Sequence, residues 1–165
     1  MSEAEFRPEK ILAVLNRHSV QFILIGGFAA VIHGSPYVTT DLDVVPEESA
    51  GNLARLSLAL RDLDARVWTS SEPQGLAFAP DGDSLARVRT WNLTTRHGRL
   101  DIAFEPSGTA GFPDLRRDAV QLTILGADVA VASLADVIRS KEAAGREKDR
   151  LVLPTLRRLL DESKD

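Results

Sequence analysis

A chain of 165 residues with 44% apolar and 27% charged side chains fits one globular domain with one core, and excludes both a fibrous and an intrinsically disordered protein. The absence of cysteine removes disulfides, thiolate metal sites and cysteine nucleophiles, so any chemistry must run on carboxylates, hydroxyls, amines or the three histidines. A net charge of −4 does not advertise a nucleic-acid-binding domain, no apolar run approaches the roughly 18 residues of a membrane helix, and residues 1–10 are acidic and polar, so a cytoplasmic protein with no membrane partner is expected.

Pro8 and Glu9 ahead of Ile11, Leu12, Val14 and Leu15 predict a helix ending near His18. The apolar, β-branched run 20–25 predicts a buried strand that stops at Gly26-Gly27, followed by a short helix over 28–33 closed by Gly34. After Thr40, Leu42, Val44 and Val45 alternate with Asp41 and Asp43 until Pro46, which predicts a second strand. Residues 47–63 place Leu53, Leu56, Ala59, Leu60 and Leu63 at helical steps, and 65–69 read as a strand. The Pro-, Gly-, Asp- and Ser-rich stretch 70–84 reads as a loop. Two hairpins follow, one pairing 88–95 with 99–104 around His97-Gly98, the other pairing 121–125 with 129–131 around 126–128. Ser133 caps a helix interrupted near Gly145, and a last helix holds Pro154 inside it or at its start. This order predicts an α/β (α+β) domain over 1–165, a mixed sheet flanked by helices, with C-terminal helices over 133–162 packed on the core.

Charge is unevenly spread. Residues 139–158 carry seven basic side chains against three acidic ones, a net +4, while carboxylates lead in the first fifty residues. The segment is either a solvated helix face or the basic end of a site for an anionic ligand.

Asp41 and Asp43 lie two apart on a predicted strand, so both side chains leave the same face. Two ionised carboxylates side by side repel, and a hard cation such as Mg²⁺ (or Mn²⁺), which takes oxygen ligands and shares them with phosphates, resolves the conflict. Gly26-Gly27, at the point where a strand turns into a helix, offers backbone N–H groups and close approach for a phosphate, or serves simply as a tight turn. Asp101 interrupts an apolar strand pattern, which requires pairing, metal or solvent. The order strand-Gly-Gly, Asp-x-Asp, later lone Asp is more informative than any of its parts.

Leu24-Ile25-Gly26-Gly27, then Asp41-Leu42-Asp43-Val44, then Leu100-Asp101-Ile102 resemble the signature of the nucleotidyltransferase superfamily related to DNA polymerase beta. More narrowly, Gly26 to Gly34 with Thr40 to Asp43, together with Ser140-Lys141 and Arg146-Glu147-Lys148-Asp149, look like the small bacterial branch of abortive-infection and toxin–antitoxin nucleotidyltransferases.

That resemblance implies a nucleotidyltransferase fold and Mg²⁺- or Mn²⁺-dependent transfer of a nucleoside monophosphate from a nucleoside triphosphate to a hydroxyl on RNA, protein or a small molecule, with a cognate toxin or antitoxin as a partner. It implies Asp41, Asp43 and Asp101 as catalytic metal ligands, with Asp101 also taking the hydroxyl proton, and Gly26, Gly27, Thr40, Lys141 and Lys148 as nucleotide-binding residues. Gly27 and Tyr37 depart from the pattern, standing where many relatives carry Ser and Arg. His33 is open between a ligand or base and the end of a short helix. The alternative reading is an inactive member of the fold acting as a binding or regulatory partner; a third is a nucleic-acid-binding protein using the basic segment.

Overall fold

Residues 4–164 are described by a computed structural model, and their elements follow from local sequence in chain order. Helix α1 (Pro8–Arg17) opens with proline at its first turn, where a missing N–H costs nothing, and buries Ile11, Leu12, Val14 and Leu15. Strand β1 (Phe22–Ile25) is buried throughout, as befits a strand covered on both faces. It passes without a connecting loop into α2 (Gly26–Ile32), so the glycine pair forms the first residues of the helix and not a turn ahead of it. Strand β2 (Asp41–Pro46) buries Leu42 and Val44 while Asp41 and Asp43 emerge opposite them.

Helix α3 (Ala50–Asp62) is capped by the Ser49 hydroxyl, which accepts from the Asn52 N–H at 3.2 Å. Strand β3 (Arg66–Val67) is shorter than its sequence suggests. The polar stretch 70–84 is not wholly loop: α4 (Gly82–Arg87) starts inside it, with the Asp81 carboxylate accepting from the Ser84 N–H at 2.8 Å. Strands β4 (Thr90–Thr95) and β5 (Gly98–Ala103) form the first predicted hairpin. A single-turn helix, α5 (Phe112–Leu115), precedes the second hairpin of β6 (Val120–Ile124) and β7 (Ala127–Val131), whose turn is Leu125-Gly126. Helices α6 (Leu134–Ala144) and α7 (Glu147–Ser163) close the described chain, separated by Gly145 in the left-handed region at φ 61°, and Pro154 lies inside α7.

The seven strands form one mixed sheet in the order β3-β4-β5-β2-β1-β7-β6. Strand β2 runs antiparallel to β1 and parallel to β5, and β1 runs parallel to β7. Apolar side chains from both hairpins, β1, β2 and the long helices merge into a single core that includes Phe104, Leu42, Leu56 and Leu156. The register across the middle places Ile25 opposite Asp43, Asp43 opposite Asp101, and Asp101 opposite Asn92. Four neighbouring strands thereby carry one row of residues from the glycine pair to the β4–β5 hairpin. Among the described residues no helix is long and apolar enough to cross a membrane.

Candidate active site

The strand alternation that buries Leu42, Val44, Leu100 and Ile102 turns Asp41, Asp43 and Asp101 to the same face of the sheet. Parallel pairing of β2 with β5 sets Asp43 beside Asp101, and one oxygen from each of the three carboxylates falls within 4.8 Å of the others. The cluster forms the floor of a cleft of about 630 Å³. Its walls are α2, the segment 35–40, the strand ends of β4 and β5, and the corner between α6 and α7.

Three acids packed this closely do not all ionise on their own. Burial, then the neighbouring Asp41 charge, pushes the Asp43 carboxyl up to about 7, although Lys141, Lys148 and Arg146 pull the other way. Asp101 is also driven well above the ordinary carboxylate range, by burial, by a hydrogen bond shared with Asp41 and by the Asp43 charge; Arg99 opposes this. Arg99 donates to Asp101 Oδ1 at 3.0 Å while its guanidinium lies 3.9 Å above the Trp68 ring. Three hard oxygen donors converging on one spot, with Asp43 and Asp101 both raised by their surroundings, fit a divalent cation of the Mg²⁺ or Mn²⁺ type, which would replace protons on those two at neutral pH.

Gly26 fits this site for a steric reason. Its φ is +77°, and a Cβ built on it would lie 2.2 Å from the Asp43 carboxylate. Both Gly26 and Gly27 line the cleft. A Cβ on Gly27 would approach the Thr39 hydroxyl to 3.1 Å, and that hydroxyl donates at 3.2 Å to the Asp41 carboxylate or carbonyl. Thr40 lines the cleft as an exposed residue, whereas it is Thr39 that holds Asp41. Period-two spacing of 39, 41 and 43 carries that signal in the sequence.

Lys141, on α6, and Lys148, at the start of α7, both line the cleft. So does Arg146, a site residue that the spacing of 139–150 does not distinguish from its basic neighbours. Asp149 is fully buried beneath them: Arg146 donates to it at 2.7 Å from Nε and 3.2 Å from Nη2, and Lys141 Nζ lies 3.6 Å away. Burial works to raise the Asp149 pKa, but the Arg146 hydrogen bonds and charge outweigh it and hold the carboxyl below its ordinary range. Of the seven basic residues between 139 and 158, five have a carboxylate partner: Arg139, Lys141, Arg146, Arg157 and Arg158. His33 is a structural residue: its Nε2 is 2.8 Å from the Ala132 carbonyl, tying the end of α2 to the strand side of α6. Tyr37 and Val38, the latter 93% exposed, stand at the cleft mouth.

The architecture is that of the nucleotidyltransferase fold. The chain superposes on the lincomycin-bound structure of the lincosamide antibiotic adenylyltransferase LnuA with a TM-score of 0.62, at 14% identity, over 95% of this chain and 99% of that one. It also superposes on a Thermotoga maritima protein described as a nucleotidyltransferase, with a TM-score of 0.53, at 16% identity, over 96% and 97% of the two chains. At such identities the likeness is one of fold. No protein-family model matches the sequence, and no curated protein matches it.

Proposed function

We propose that the protein is a nucleotidyltransferase that moves a nucleoside monophosphate from a nucleoside triphosphate to a hydroxyl acceptor and releases pyrophosphate, working as one cytoplasmic domain. The single observation that carries this reading is the convergence of Asp41, Asp43 and Asp101 within 4.8 Å at the foot of a cleft whose opposite wall holds Lys141 and Lys148.

Asp41 and Asp43 would hold the divalent cation with Asp101 completing the set; when bound, Mg²⁺ or Mn²⁺ supplies neutralisation of phosphate and leaving-group charge. Lys141 and Lys148 bind the triphosphate oxygens, with Arg146 beside them. Gly26 and Gly27 keep the wall free of side chains so that phosphate can approach backbone N–H groups, and Thr40 lines the rim. Asp101, whose Oδ1 accepts from Arg99, takes the proton of the attacking hydroxyl.

The fold of the neighbours supports the reaction class. The narrower readings, an RNA or protein acceptor and a place in a toxin–antitoxin or defence pair, are supported by the motif resemblance alone, and retention of Asp41, Asp43 and Asp101 argues against the alternative of an inactive binding partner. Incubation with Mg²⁺, each nucleoside triphosphate and cell extract tests the reading through pyrophosphate release. Asp101→Asn should retain nucleotide binding but release pyrophosphate at least about 100-fold more slowly. A parent protein that binds no triphosphate, or an Asp101→Asn variant of full activity, contradicts it.

A further inference from the structure

The acid row divides the cleft into two banks of unlike charge. On one side Lys141, Arg146 and Lys148 line the cleft together with the glycine pair, and all three lie near enough to act on Asp43. On the β4 side of Asp101, the lining residues Thr90, Asn92 and Glu105 include no cation. The cations closest to that bank are already committed. Arg89 is held by Glu48 at 2.8 Å and by Glu105 at 3.2 Å, a trio with a net charge of −1, and Arg99 is held by Asp101. The Asn92 side chain is exposed beside Asp101 in the register and makes no hydrogen bond among the described residues.

In-line displacement fixes what these banks can hold. The attacking oxygen and the departing pyrophosphate lie on opposite sides of the α-phosphorus. A triphosphate drawn to the cationic bank leaves only the Asp101 side for the acceptor. A nucleic-acid acceptor would bring its phosphates against Glu105 and the acid row with no uncommitted cation on that bank to receive them. A ligand with hydroxyl or amine groups finds an amide that can both donate and accept, the Thr90 hydroxyl and a carboxylate. A cleft of about 630 Å³ is also of the size that encloses small molecules.

We infer that the acceptor is a small polyhydroxy compound, uncharged or amine-bearing, which enters over β4 and is oriented by Asn92, Thr90 and Glu105. This rests on the nucleotidyl-transfer reading. In the step, a bond forms between the acceptor hydroxyl oxygen and the α-phosphorus, and the bond from the α-phosphorus to the bridging oxygen breaks. The electron pair leaves on pyrophosphate, and the hydroxyl proton passes to Asp101.

The test supplies α-phosphate-labelled nucleoside triphosphate and Mg²⁺ with cell extract separated into RNA, protein and small-molecule fractions, using the parent chain, Asn92→Ala and Glu105→Lys. Thermal shift with Mg²⁺ and triphosphate is run on each variant in parallel. Label is expected in the small-molecule fraction alone, falling about tenfold in Asn92→Ala and in Glu105→Lys while the nucleotide-induced shift is kept. Label in RNA or protein, stronger labelling by Glu105→Lys, or a nucleotide-induced shift with no labelled fraction overturns the acceptor assignment and leaves nucleotide binding standing. Absence of any nucleotide-induced shift in the parent chain overturns the reading beneath it, and the acceptor assignment with it.

Discussion

At Asp43 the site stores an electrostatic conflict that a bound cation would relieve. Its pKa in the folded protein is raised from 3.8 to about 7, chiefly by burial and then by Asp41. Below pH ~4 both folded and unfolded chains keep this proton, so the group has no effect on stability. Between pH ~4 and ~7 the unfolded chain has released a proton that the native state retains, so stability falls as pH rises, and above ~7 the loss is complete. Asp43→Asn removes the ionisation, so in chelator its melting temperature at pH 8 should exceed that of the parent by on the order of 5 °C, with the two converging toward pH 4. Equal melting temperatures at pH 8 would show that the acids do not strain one another. The carboxylates themselves were readable from alternation in 40–46, and Arg99 could have been read from the same period-two logic in β5. The proximity of Gly26 to Asp43 could not, because it is created by the antiparallel pairing that sets Ile25 opposite a residue 18 positions later.

Among the elements, the corner between α6 and α7 controls the cationic bank. Gly145 takes the left-handed conformation that ends α6, and Asp149 then reaches back to the Arg146 backbone N–H at 3.2 Å while binding its side chain. A fully buried carboxylate thus joins a helix start to two cleft cations, Lys141 and Arg146. Asp149→Ala should lower stability by about 2 kcal/mol, the order expected for hydrogen bonds to a charged group, and raise the KM for nucleotide more than it lowers kcat. Chemical denaturation and steady-state kinetics read both; unchanged nucleotide KM would limit Asp149 to a structural role. The helix cap at Ser133 and the break at Gly145 were legible because their chemistry is local. Helix α4 was less so, since its only cue, Asp81 three residues before Ser84, sits in a Pro- and Gly-rich stretch, and the single turn of α5 leaves no periodicity to read.

Across the whole molecule, a net charge of −4 conceals a separation that matters more than the sum. The basic C-terminal segment looks in the sequence like a nucleic-acid surface, but five of its seven cations are paired with carboxylates, several of them far away in the chain or on another helix. Charge counting along a sequence cannot see such pairs; the fold makes them. What remains is a cleft with cations on one wall, acids on its floor and a neutral-to-acidic second wall, an arrangement fit for a metal-bound triphosphate. The most direct measurement of that claim is the melting temperature of the parent and of an Asp41→Ala, Asp43→Ala double variant, with and without Mg²⁺ and each nucleoside triphosphate. Ligands that bind only the native state must raise its stability, by about 2.7 kcal/mol at a hundredfold excess over Kd. A rise is expected in the parent that requires metal and nucleotide together and vanishes in the double variant; no rise in the parent, or an equal rise in both proteins, would contradict a metal-bound triphosphate at this cleft.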